Sequence, residues 1–192
     1  MRTAEMSRIT KETNIKIKVN LDGTGKNIID TGIGFFDHML TAFSLHSRID
    51  MEIKVSGDLN VDAHHTVEDT GIVLGKAISM AIAEKDNITR YGSASIPMDE
   101  ALAEVVLDVC ARPYLVFNAE FNDDKIGEFD TCLTEEFFRA LAFNAGITMH
   151  INLSYGKNDH HKCEAIFKAT AHALKKAIAT NDNTILSTKG II

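Results

Sequence analysis

The chain is expected to fold as an α+β protein built from two copies of one unit. Two observations predict this. First, the segment His64-His65-Thr66-Val67-Glu68 returns as His160-His161-Lys162-Cys163-Glu164, 96 positions later. The offset persists downstream: Ala77, Ala81, Ile82 and Ala83 fall on Ala173, Ala177, Ile178 and Ala179, and Asp86-Asn87 falls on Asp182-Asn183. A fixed offset over such a length is the mark of internal duplication. Second, alternating segments and helix-period segments follow one another in the same order in both parts. The repeats run over about 1–92 and 93–192 and form a single domain.

The elements can be justified in turn. Residues 14–20 (NIKIKVN) alternate apolar and polar, the pattern of a half-buried strand. Asp22-Gly23-Thr24-Gly25 is a turn signal, and a short strand is placed over Lys26–Asp30. Gly32 and Gly34 then open a helix from about Phe35 to His46. Residues 49–56 (IDMEIKVS) alternate again, and a helix is expected from about His65 to Lys85. Ile72, Val73, Leu74, Ala77, Ile78, Ala81 and Ile82 make that helix apolar around most of its girth, so it is buried on more than one side. The second part places strands over Ser93–Pro97, Ala103–Cys110 and Tyr114–Phe121. A helix over Leu133–Ala145 follows, starting behind a cap-like Thr134 with Glu135-Glu136 in its first turn. A strand over 147–153 and a helix over His161–Ala179 complete the second copy.

Composition narrows the function. Of 192 residues 45% are apolar and 24% charged, an ordinary soluble balance that can supply a core. A net charge of −7 argues against nonspecific nucleic-acid binding, which needs a basic face. Cys110, Cys132 and Cys163 are odd in number and lack a CxxC pair, so neither a disulfide framework nor a thiolate zinc site is expected. Free thiols suit a reducing cytoplasm. No stretch reads as a signal peptide or a membrane span, and a cytoplasmic location is expected.

The repeated HHxxE carries the chemistry. On a helix, positions i and i+4 share a face, while i and i+1 diverge by roughly 100°. His64 and Glu68 can therefore share one metal while His65 faces another, and the same holds for His160, Glu164 and His161. A single HHxxE is a weak signal, because most histidine pairs are solvated or bonded to a carbonyl. Two copies in register are a strong one. His38 in the first helix is the best additional ligand, with Glu136 in the corresponding place of the second copy. The expected sets are His38, His65, His160 and Glu164 for one metal, and His64, Glu68, Glu136 and His161 for the other. Imidazole and carboxylate without thiolate suit manganese, iron or zinc, manganese best. His150 competes with Glu136 for the open place, and His172, which replaces Lys76 in the repeat, is expected to be exposed. A ferritin-like oxidation protein would also use carboxylates and histidines on helices, but with ExxH pairs and without alternating strands.

Arg90, Arg112, Ser187, Thr188 and Lys189 supply guanidinium forks, hydroxyls and an ammonium, the groups a phosphate ester needs. Lys168 lies four residues after Glu164 and can pair with it. Glu12 reads as an exposed glutamate before the first strand.

Read together, these motifs resemble the imidazoleglycerol-phosphate dehydratase family. The resemblance rests on RxTKET (Arg8–Thr13), FFDHML, DxHHTVEDTGI (Asp62–Ile72), RYG (Arg90–Gly92), PMDEAL (Pro97–Leu102), ARPY (Ala111–Tyr114), GxFDTxLxEEFFRALA, TMHI, GKNDHHKCEAIFKA and STKG, in the family's order over nearly the whole chain. It implies two αβ halves, each a four-stranded sheet with two helices, the helices sandwiched between the sheets. It implies dehydration of D-erythro-imidazole-glycerol phosphate to imidazole-acetol phosphate in histidine biosynthesis. It also implies two manganese ions per subunit, which bind the substrate's ring and favour its imidazolate, so that the ring expels the neighbouring hydroxyl. On the matching positions, the resemblance makes Glu12 a substrate-contacting acid–base group, beside the carboxylates Glu68 and Glu164. Arg90, Arg112, Ser187, Thr188 and Lys189 become the phosphate set, with His38 and Lys168 also on the substrate. It further implies a 24-subunit shell with metals shared at subunit interfaces. This chain departs from the family at Ala63, where a second aspartate is usual, and at Glu136, where a histidine is. Ala111 and Thr188 also replace a glycine and a serine.

Overall fold

Period-two burial builds two sheets, each with one wet face. In the computed structural model, which describes residues 1–82 and 88–181, Ile15, Ile17 and Val19 of β2 (Thr13–Asn20) point inward while Asn14, Lys16 and Lys18 face water or the rim. Met51, Ile53 and Val55 of β4 (Asp50–Gly57) do the same beside them. With β1 (Thr3–Ile9) and β3 (Asn27–Asp30) they form a sheet in the order β1-β2-β4-β3, antiparallel except for the parallel β3–β4 pair. The second part repeats this with β5 (Tyr91–Met98), β6 (Ala101–Val109), β7 (Tyr114–Asn118) and β10 (Ile147–Tyr155). Their order is β5-β6-β10-β7, and β7–β10 is the parallel pair. The two four-stranded sheets and four helices bear out the α+β fold class.

Four helices fill the space between the sheets: α1 (Gly34–Ser47), α2 (His64–Ile82), α3 (Leu133–Ala145) and α4 (Asp159–Ala177). Helix α2 lies on β1 and β2 and packs on α3; α4 lies on β5 and β6 and packs on α1. Each long helix therefore meets its own sheet on one side and the other repeat on the other, which is why α2 is apolar around most of its girth. The end of α2 expected near Lys85 lies outside the described residues.

Three sequence expectations are corrected. Strand β1 precedes the first strand expected from the sequence; TAEMSRI offers only Ala4 and Met6 of its apolar residues to the core and buries neither fully, so its period is weak. Each copy thus carries three strands of its four-stranded sheet before its first helix. A short hairpin, β8 (Lys125–Ile126) with β9 (Phe129–Asp130), precedes α3. It inserts the fully buried Phe129 against Phe35 and Phe36 of the other repeat, at ring centroid distances of 5.3 and 6.0 Å. Finally, Thr134 is inside α3 rather than its cap: Cys132 takes the cap position, and the Thr134 hydroxyl sits 3.5 Å from Cys163 Sγ in the core.

The α2–α3 contact is unusually close. A Cβ on Gly71 would stand 2.7 Å from the Phe137 carbonyl oxygen, and one on Gly75 2.7 Å from that of Leu141. Backbone cannot retreat as a side-chain tip can. Gly71→Ala should therefore overpack the interface and cost about 1–3 kcal/mol, seen as a lower midpoint of thermal or urea unfolding; an unchanged midpoint would mean the helices slide apart freely.

The α1–α4 contact carries a histidine pair. His172, expected to be exposed, is half-buried, with its Nε2 3.0 Å from Nδ1 of His46. Burial pushes both rings below the ordinary histidine value; His172 and Lys168 add to this at His46 against an opposing Glu164, and Lys175 and Lys176 add to it at His172. The folded state thus favours neutral rings, and the unfolded chain binds more protons below about pH 6.5. The pair's contribution is full above that pH and is lost as pH falls from there through the lower folded-state value. His172→Gln should flatten the decline of the unfolding midpoint between about pH 7.5 and about pH 5.5; parallel curves for variant and wild type would exclude the pair as the cause.

Candidate metal and active site

Each histidine pair starts a helix, and the start is fixed by a cap at the same place in both repeats. Asp62 Oδ1 accepts the His64 amide at 2.8 Å, and Asn158 Oδ1 accepts the His160 and His161 amides at 2.9 and 3.3 Å. These bonds satisfy amides that the first turn leaves unpaired. They also hold the backbone from which the two rings of each pair diverge; the ring planes stand at 82° and 78° to each other.

The structure gathers one trio. Ligand atoms of His38, His160 and Glu164 lie within 4.8 Å of one another, and among the described residues no other histidine, cysteine or carboxylate trio is so close. His160 Nε2 is 3.2 Å and His38 Nε2 3.7 Å from Glu164 Oε2. Helix α1 of the first repeat brings His38; helix α4 of the second brings the other two. Glu164 is only 7% exposed. Burial raises its carboxyl, but the Lys168 ammonium at 2.6 Å and the two imidazoles outweigh that and hold it below the usual range. The expected Lys168–Glu164 pair is therefore present.

The corresponding place in the first repeat is half built. His64 Nε2 lies 3.6 Å from Glu68 Oε2, as the i, i+4 spacing requires. Glu136 does not join them in a close trio. Arg139, one turn along α3, draws Glu135 into an ion pair and stands 3.8 Å from Glu136. His150 lies exposed on the outer face of β10, paired across the sheet with Val106, also exposed. That is the face away from the helices that carry the paired histidines and His38.

His65 and His161 are prepared in one way. Asp58 stands 3.1 Å from His65 Nδ1, and Glu100 2.7 Å from His161 Nδ1. Each carboxylate bond raises its imidazole above the ordinary value. Glu100 is itself held down at about 2, first by the Asn158 amide and then by His161. A carboxylate on Nδ1 favours the proton there and leaves the Nε2 lone pair outward, the usual support of a metal-binding histidine. The sequence reading missed Asp58 and Glu100. Their signal was their position in turns, Gly57-Asp58 and Asp99-Glu100, beside the strands that lead to each helix. Toward the open side, Glu12 Oε1 is 4.0 Å from His65 Nε2, and Asp99 Oδ2 3.6 Å from His161 Nε2.

The expected phosphate group is only partly in view. Ser187, Thr188 and Lys189 lie outside the described residues. Arg112 is exposed between β6 and β7, where its carbonyl accepts from the Thr148 hydroxyl at 2.7 Å. Arg90 is buried and forks onto Asp108, Nε to Oδ1 at 2.7 Å and Nη2 to Oδ2 at 3.1 Å. Ala63, in place of an aspartate, is buried in the apolar cluster. Its counterpart Asp159 pairs with Lys162 and accepts the Asn122 and Asp123 amides.

Residues 31–174 match the model of the family described as imidazoleglycerol-phosphate dehydratase. The chain belongs to that family. It is 55% identical over its full length to the imidazoleglycerol-phosphate dehydratase of Clostridium acetobutylicum, covering 98% of that protein. It is 54% identical, over the whole of both chains, to that of Methanosarcina barkeri. The crystal structure of the Staphylococcus aureus enzyme superposes with a TM-score of 0.85 at 44% identity, over 93% of this chain and 99% of that one. The Pyrococcus furiosus enzyme gives the same TM-score at 37% identity, over 97% and 100%. The protein is accordingly a dehydratase, a hydro-lyase of histidine biosynthesis. No helix among the described residues is long and apolar enough to cross a membrane.

The trio predicts a separable ligand loss. His160→Ala removes one of the three close donors, whereas His161→Ala removes a donor of the other expected set. After incubation with manganese and gel filtration, each variant should retain about half as much of the ion as the wild type and little of the activity; wild-type retention in either would contradict its assignment.

Proposed function

We propose that the enzyme converts D-erythro-imidazole-glycerol phosphate to imidazole-acetol phosphate and water, with two divalent cations, manganese for preference, per subunit. The observation that carries this is the His38–His160–Glu164 trio, formed across the two repeats in a chain of this family. Its donors are imidazole nitrogen and carboxylate oxygen without sulfur, which fits such an ion. Its fourth donor in this reading is His65, and the second set is His64, Glu68, Glu136 and His161. A bound cation supplies Lewis acidity toward the substrate's ring nitrogen.

The chain's own groups do the rest. Glu12, exposed at a loop tip beside His65, moves the proton lost from the carbon next to the departing hydroxyl. Loss of that proton and of the hydroxide gives an enol, which becomes the ketone. Glu68 and Glu164 hold charge beside the ring, and Lys168 keeps Glu164 ionised and oriented. Arg112, with Arg90, Ser187, Thr188 and Lys189, receives the phosphate and fixes the register of the glycerol chain.

Among the described residues of their own chain, His65 and His161 lie outside any close trio. We assign the missing donors to neighbouring subunits of a large shell, which the family resemblance suggests has 24 members. Metal and assembly are then linked, since an ion that binds only the assembled state stabilises it. Manganese-loaded protein should form the acetol product from imidazole-glycerol phosphate. Chelation should both stop turnover and reduce particle mass by light scattering, with manganese restoring each. Absence of turnover in the loaded, assembled protein would overturn the reaction; a mass indifferent to chelation would overturn the shared sites.

A further inference from the structure

The loop that carries Glu12 is tied to helix α2 by a device that only one repeat possesses. Arg8 lies on the inner face of β1, opposite Ile15, and its guanidinium pairs with Oδ2 of Asp69. The Thr13 hydroxyl donates to the same oxygen at 2.5 Å. Asp69 is 7% exposed and sits four residues after His65, so the two share a face of α2. Between the two anchors the loop closes on itself. The Thr10 amide donates to the Thr13 carbonyl at 2.8 Å, and the Thr10 hydroxyl accepts the Glu12 and Thr13 amides at 3.1 and 2.9 Å. Glu12 is thus held between clamped neighbours, with its carboxylate 4.0 Å from His65 Nε2.

The sister repeat lacks this device. Ala165 stands at the place of Asp69, and β5 and β6 are joined by the short turn Asp99-Glu100, whose Glu100 bonds His161 directly. A strand-to-helix brace needed only for stability would serve both halves alike. Here it occurs where the loop bears Glu12.

We propose that Asp69 is a positioning residue that fixes the Glu12 loop over His65 for proton transfer. This rests on the reading of Glu12 as the acid–base group. Asp69→Ala, which installs the sister residue, should speed amide exchange of residues 10–13 and leave the interior of α2 protected. It should lower kcat about 10- to 100-fold, the cost of misplacing a reacting group by about an ångström, with KM changed less than about threefold. Asp69→Asn keeps an acceptor oxygen and should recover part of the rate. The decisive comparison is with Glu12→Gln. If Asp69 acts through Glu12, the double variant Glu12→Gln/Asp69→Ala is no slower than Glu12→Gln alone; multiplied losses would make Asp69 merely structural. Should Asp69→Ala fail to assemble, Thr13→Val removes one donor to the same oxygen and is read identically. Exchange at residues 10–13 that is unchanged by the variant overturns the proposal while leaving the role of Glu12 intact. A fully active Glu12→Gln removes that role and the proposal with it.

Discussion

A nearly buried carboxylate, Glu164, is the point on which the two halves of this molecule meet. A carboxylate out of water must find cations or strong donors, or it takes up a proton. Here the donors come from two directions. Lys168 and His160 lie on its own helix at i+4 and i−4, and His38 arrives from the first repeat. Only the packing of α1 on α4 makes the last contact possible. That packing in turn needs the aromatic seam of Phe35, Phe36, Phe129 and Phe137, whose rings stack and meet edge-on across the repeat boundary.

The duplication preserved what sets geometry and changed what sets chemistry. Both repeats keep the sheet order, the side-chain cap before the histidine pair, and the carboxylate on Nδ1 of the second histidine. They differ within one helical turn of the ligands. Lys168 occupies the place of Ile72, so the Glu164 carboxylate has a lysine partner one turn along its helix and its counterpart Glu68 does not. Asp69 occupies the place of Ala165. Gly71 occupies the place of Phe167, so α2 approaches α3 closely while the matching position of α4 fills its space with a ring. Two half-sites of similar outline therefore offer different charge and different packing.

The sequence alone determined the duplication, the α+β class and the helices on which the paired histidines and glutamates stand. Each of these is encoded locally. A two-residue period with one wet face fixes a strand, i and i+4 fix which side chains share a helix face, and a repeated HHxxE fixes donor types. The same local logic missed β1, whose inward side chains Ala4, Met6 and Arg8 are only partly buried, and the β8–β9 hairpin, too short to show a period. It also misread Thr134 as a cap and His172 as exposed.

The tertiary structure decided everything that depends on which distant elements touch. It put His38 beside Glu164, joined His46 to His172 across α1 and α4, and turned His150 outward. It engaged Arg90 on Asp108 and set Asp58 and Glu100 behind the histidines. It closed Arg8 and Thr13 onto Asp69. No spacing in the chain reports these pairs, because they are fixed by the angle and register at which two sheets enclose four helices. That arrangement is set by close packing of buried side chains over the whole core, not by any one segment.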